Sequence, residues 1–187
     1  MVQYSQDRRV IRSRRLLSTA LLELMLQMEY ESISIRQLTD LADVGYATFY
    51  RHFKSKDELL GVALGSVLEE LGRSVSSDMK KEEQAVMFLR NVDQNRTAYL
   101  AALTLPPAHP VFKTLHERVK QLVAIRYVSR ADSEIPLSVA VNHLVWATYE
   151  LLRWYLLEPH DYSPEQVAAM YVKLVLQPTD DAVNEQW

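Results

Sequence analysis

Glycine is nearly absent from this chain: only four occur in 187 residues, while Leu, Ala, Glu, Arg and Gln are plentiful. Tight hairpins draw on glycine's positive φ, and helix interiors exclude it, so the balance points to an all-α protein. The prolines agree. Pro106, Pro107 and Pro110 break one helical stretch, Pro136 opens another, and Pro159 and Pro164 separate two more. No internal repeat, low-complexity tract or alternating strand pattern interrupts them. The length allows one domain or two small ones.

The absence of cysteine removes disulfides, thiolate metal sites and cysteine nucleophiles, and is compatible with a reducing compartment. The opening MVQYSQDRRVIRSRR lacks the apolar run and cleavage site of a secretory signal, so a cytoplasmic location is expected. One segment, Leu137 to Leu157, has the length of a membrane span. It contains Asn142, His143, Glu150 and Arg153, each costly in hydrocarbon, and reads as a buried helix with no membrane partner.

Apolar residues at Leu17, Leu21, Leu24 and Met28 predict a first helix over about Val10 to Met28. Ser34 is placed to cap a second helix through Ala42, and a third, Tyr46 to Phe53, follows after only Asp43, Val44 and Gly45. Ser55 and Glu58 form a capping box for a long fourth helix reaching about Val75. Further helices are predicted over about 82 to 103, dividing near Asn91 to Asn95, and over about Val111 to Ser129, ending in the polar turn 130–134. Two more run to Glu158 and from Pro164, with a loose tail after Pro178. The total is about nine helices.

The formal charge is −3, yet the first 22 residues carry Arg8, Arg9, Arg12, Arg14 and Arg15 against Asp7 alone. Basic charge gathered at one end is an electrostatic footprint of nucleic-acid binding, although a solvated helix face gives the same pattern. The stretch Ser34 to Lys56 sharpens it. Two helices joined by a three-residue turn, with Leu38, Ala42, Val44 and Phe49 facing inward, make a helix-turn-helix. Its outer face would carry Tyr46, Ala47, Thr48, Tyr50 and His52, flanked by Arg36, Arg51, Lys54 and Lys56. Short polar and aromatic side chains between cations suit a helix in a major groove, where cations hold phosphates and small groups reach base edges. Arg14, one turn before Leu17, joins this set.

Here the sequence resembles the TetR family of bacterial transcriptional regulators. The likeness is carried by Leu17, Ala20, Leu24 and Tyr30, then Ser34-Ile35-x-x-Leu38, Ala42-x-Val44, Thr48-Phe49-Tyr50-Arg51-His52-Phe53 and Ser55-Lys56-x-x-Leu59, over roughly the first third of the chain. The resemblance implies a three-helix DNA-binding domain over about 1–54 and a helical effector-binding and dimerisation domain over 55–187. It also implies a homodimer on double-stranded, pseudo-palindromic operator DNA and an effector-relieved repressor without enzymatic activity. Carried over by position, Tyr46, Ala47 and Thr48 face bases, while Tyr50, His52, Arg36, Ser34 and Lys56 face phosphates. Three departures stand out: Asp43 where the turn commonly has Gly, Gly45 where the third helix commonly starts at Ser, and Glu29 for a frequent Gly.

In the C-terminal part, His109, His116, His143 and His160 show no metal-ligand spacing such as HExxH, so neither metal nor cofactor is expected. A small-molecule effector of unknown identity is the expected ligand, with Tyr99, Phe112, His116, His143 and Trp146 as candidate cavity residues. A regulator docking a protein partner through this domain, or an activator, is the alternative. The last two helices are apolar on more than one side. A two-fold interface through Leu144, Ala147, Leu151, Leu152, Tyr155, Ala168, Val172 and Val175 accounts for the excess, and burial within one protomer is the rival. Finally, Gly61, Gly65 and Gly72 fall in the fourth helix. Either Gly61 and Gly65 admit a close neighbour, or Gly65-Ser66 supplies bending.

Overall fold

A computed structural model describes residues 2–74, 79–128 and 135–185. The described chain is helical: α1 (Val2–Met25), a 3-10 turn (Tyr30–Ser32), α2 (Ile35–Leu41), α3 (Tyr46–His52), α4 (Lys56–Ser74), α5 (Lys81–Gln94), α6 (Arg96–Thr104), α7 (Pro110–Ala124), α8 (Leu137–Leu157), α9 (Pro164–Tyr171), a π turn (Val172–Leu176) and α10 (Gln177–Ala182). Because α9, the π turn and α10 are continuous, the rods number nine among the described residues, as the punctuation predicts. The expected turn at 130–134 lies outside the described residues.

The compact units do not coincide with a cut after residue 54. One unit comprises 1–68 with 97–112, the other 69–96 with 113–187, and α4 runs from the first into the second. In the first unit, Leu17, Leu21, Leu38, Phe49, Leu59 and Leu60 have no exposed surface. These are the helical-period apolar positions of α1 to α4, so the sequence spacing and the core coincide. In the second, α5 packs along α9, with Leu89, Val92 and Val167 fully enclosed. No helix among the described residues is long and apolar enough to cross a membrane.

Two local predictions need correction. The helix expected over 111–129 ends at Ala124, where Arg126 N–H turns back to Val123 O at 3.0 Å. Tyr127 and Val128 then pair antiparallel with Glu185 and Asn184. That pairing also fixes the tail expected to be loose: Gln177–Ala182 is helical and Val183 is buried. The wider π turn immediately before Pro178 explains how the helix continues, since proline lacks the N–H and crowds the carbonyl four residues back.

Candidate nucleic-acid interface

Helix α2 begins on a reciprocal capping box: Ser34 Oγ accepts from Gln37 N–H at 3.2 Å, and Ser34 N–H donates to Gln37 Oε1 at 3.0 Å. The Ser34 hydroxyl proton also goes to Gln37 Oε1, at 2.7 Å. Its polar atoms therefore serve the cap, and a phosphate would meet them only by displacing Gln37. The helix ends in a Schellman motif, with Val44 N–H on Thr39 O at 3.0 Å and Asp43 N–H on Asp40 O at 3.3 Å. Asp43, the position that glycine commonly fills, has φ 50°. The left-handed backbone explains the glycine preference, because an L side chain there crowds its own carbonyl.

Seven-residue α3 then starts at Gly45, whose main-chain cap has no side-chain bond. Phe49 and Phe53 are buried, as expected for packing aromatics, whereas Tyr46 and Tyr50 are each more than half exposed. Their rings meet edge-on at 5.3 Å and their hydroxyls lie 3.4 Å apart, so the two tyrosines stand as a pair. That hydroxyl contact raises the Tyr50 pKa, keeping it a neutral donor and acceptor. Ala47 and Arg36 are exposed and Thr48 is half-buried. Arg51 donates to Thr48 Oγ1. Arg36 and Asp40 share an open groove of about 630 Å³ between α2 and the start of α3.

Around this face the cations divide into free and engaged. Arg8, Arg9, Arg12, Arg15 and Lys54 are exposed. Arg14 sits over the Phe53 ring at 5.1 Å, which holds α1 against the end of α3. His52 is half-buried, and its pKa is lowered first by that burial and then by Arg51 and Arg14. At neutral pH it is therefore an uncharged imidazole that meets an anion through one N–H rather than through charge.

Lys56 has an internal role that its sequence position does not reveal. Its ammonium donates to Tyr30 O and, at 2.9 Å, to Ile33 O, and lies 4.2 Å from the Tyr30 ring centre. Tyr30 in turn donates its hydroxyl to Asp57. Lys56 thus closes the 3-10 turn onto the start of α4. The capping box also differs in detail: Ser55 Oγ accepts from Glu58 N–H at 3.1 Å, but Glu58 reaches back to Lys54 N–H at 2.7 Å rather than to Ser55.

The remaining expected site residues are placed as follows. Tyr99 and Phe112 belong to the first unit, half-buried and buried; His116 and Trp146 belong to the second, with ring centres 4.7 Å apart. His143 corrects its assignment as a cavity residue. It is exposed, because Ala140, Val141, Leu144 and Val145 occupy the inward face of α8. The interface set needs a larger correction. Leu144, Leu152, Tyr155, Ala168, Val172 and Val175 are all at least nine-tenths buried within the protomer, and the Tyr155 hydroxyl donates to Asp93 at 2.8 Å. Ala147 and Leu151 remain half-open. They lie on a separate stripe of α8 with exposed Val139 and Leu157. Among the described residues no group of three or more His, Asp or Glu is arranged to hold a metal ion.

Comparison with known proteins bears on the first unit most directly. The model of the bacterial regulatory proteins of the tetR family matches residues 17–63. A curated relative, the HTH-type transcriptional regulator YxbF of Bacillus subtilis strain 168, is 30% identical over 97 residues, 48% of this chain and 26% of the relative. The chain thus spans about a quarter of the length of that relative. Among solved structures, a TetR transcriptional regulator from Streptococcus agalactiae is 23% identical, with TM-score 0.68 over 92% of this chain and 98% of that one. The multidrug binding protein EbrR complexed with malachite green is 22% identical, with TM-score 0.56 over 87% and 97%. These likenesses extend the shared fold across both units.

Proposed function

From the premise that the chain is a TetR-family regulator, carrying that family's N-terminal domain over residues 17–63, we propose that it binds operator DNA as a homodimer under the control of a small molecule. The observation that carries this reading is α3. It is a short helix gripped from behind by Phe49 and Phe53, with Tyr46, Ala47, Thr48 and Tyr50 open to solvent and arginines on both flanks. Base edges are read by such small and aromatic groups, and phosphates are held by the cations. The Schellman turn sets the angle between α2 and α3 that lets one helix enter the groove while the other crosses the backbone.

Dimerisation supplies the second half-site. The open stripe of α8, Val139, Ala147, Leu151 and Leu157, lies beside Leu174 of the π turn, itself 66% exposed. Apolar groups left uncovered on two packed helices fit a two-fold contact. The effector reading draws support from EbrR, a drug-binding protein of the same fold. DhaS, a dihydroxyacetone kinase operon activator, also has this fold, so the fold alone does not set the sign of regulation. A cytoplasmic location accords with these roles.

Selection of bound fragments from sheared genomic DNA tests the reading. Enrichment of a short pseudo-palindrome that Tyr50→Ala no longer retains is the expected result; equal recovery of all fragments overturns it.

A further inference from the structure

Threonine is an ambiguous reader of DNA. Its hydroxyl offers one proton and two lone pairs, and the proton rotates to suit either a donor or an acceptor on a base edge. On α3 that freedom is removed. Arg51 lies one turn beyond Thr48, and its guanidinium donates to Thr48 Oγ1. A guanidinium has no acceptor, so the direction of the bond is fixed. Thr48 makes no other side-chain hydrogen bond among the described residues. Its proton must point away from the guanidinium hydrogens, and a cation on the lone pair polarises the O–H into a stronger donor.

Resting on the DNA-binding reading above, we infer that Thr48 and Arg51 read DNA as one unit, in which Arg51 makes the Thr48 hydroxyl an obligate donor that selects a keto base. At the centre of the major groove guanine presents O6 and thymine O4, both acceptors, whereas adenine and cytosine present amino hydrogens at the same place. The unit accepts the first pair and rejects the second. Arg51 is the positioning residue: it sets the polarity of its neighbour and keeps further N–H groups for the DNA. The i,i+3 spacing of Thr48 and Arg51 is the sequence signal for the pair, which a reading of Arg51 as a flanking cation overlooks.

Selection from a randomised duplex pool, with sequencing of the bound fraction, tests this for wild type, Thr48→Val, Arg51→Met and the double variant. Arg51 is exposed, so Arg51→Met keeps the fold, which a melting curve verifies. Wild type is expected to favour guanine or thymine over adenine or cytosine by about tenfold at one position of each half-site. Both single variants relax that same position, and the double variant relaxes it no further. Arg51→Met that weakens every sequence alike while sparing that position overturns the proposal, as does relaxation of a cytosine or adenine preference in Thr48→Val. A wild type that enriches no duplex overturns the DNA-binding reading and the proposal with it.

Discussion

Replacing Asp43 with glycine separates what the turn costs the fold from what its charge costs DNA binding. Asp43 holds φ 50° at the residue after the α2 cap, between the two hydrogen bonds of the Schellman motif. A left-handed L residue costs about 1–2 kcal/mol, with Asp at the low end because its carboxylate bonds locally, while glycine forfeits about 0.5–1 kcal/mol through its freer unfolded chain. The net gain for Asp43→Gly is about 0.5 kcal/mol, a rise in melting temperature of about 1–2 °C for a chain of this size. Asp43→Ala keeps the strain without the carboxylate and should melt below wild type. The charge acts separately. A carboxylate about 7 Å from a DNA phosphate in water-like surroundings repels it by about 0.6 kcal/mol, roughly threefold in affinity. Asp43→Asn should therefore tighten operator binding about threefold at low salt with little change in stability. Differential scanning calorimetry and fluorescence anisotropy read the two effects. Equal melting of Asp43→Gly and Asp43→Ala would refute the strain argument, and unchanged affinity in Asp43→Asn would remove the turn from the DNA surface.

Other outcomes follow from the same contacts. Lys56→Met should lower stability by about 1.5–3 kcal/mol, since its charged bonds close the 3-10 turn; a variant that melts like wild type but has lost DNA affinity would assign Lys56 to phosphate instead. Leu174→Glu should give a folded monomer by light scattering, because the residue is exposed on the protomer, whereas Leu152→Glu strands a charge in the core and should unfold it. A Cβ added at Gly61 meets nothing within 4 Å, so Gly61→Ala should stabilise α4 by about 0.5–1 kcal/mol; loss of effector response in that stabilised protein would show that the helix needs its compliance. Tyr155 has its pKa pushed up to about 12, above the ordinary 10.0, by burial and by its bond to Asp93. Its stabilising contribution is complete below pH 10 and lost as pH rises through about 12, so Tyr155→Phe should flatten the alkaline decline of the melting temperature.

The N-terminal unit was legible because its information is local. Apolar period, the Ser34 cap and the Ser55 start lie within a few residues of what they control, and the predicted boundaries of α2 and α3 match within one residue. The errors came from contacts distant in sequence. Lys56 looks like a phosphate cation until Tyr30 and Ile33 are seen to occupy it. The tail looks loose until Tyr127 and Val128 supply its partner. Apolar richness in α8 and α9 announced more than one buried face, but period alone did not say which face the protomer itself covers. Leu144, Leu152 and Val175 went to its own core, leaving Val139, Leu157 and Leu174 outside.

The most direct test of the central claim is the binding of wild-type protein to its selected duplex, measured by fluorescence anisotropy against a scrambled duplex of equal length across a salt series. Two protomers should bind each pseudo-palindrome, about a thousandfold or more tighter than the scrambled sequence, with affinity falling steeply as salt rises. Equal affinity for both duplexes, or saturation by one protomer, would contradict the account.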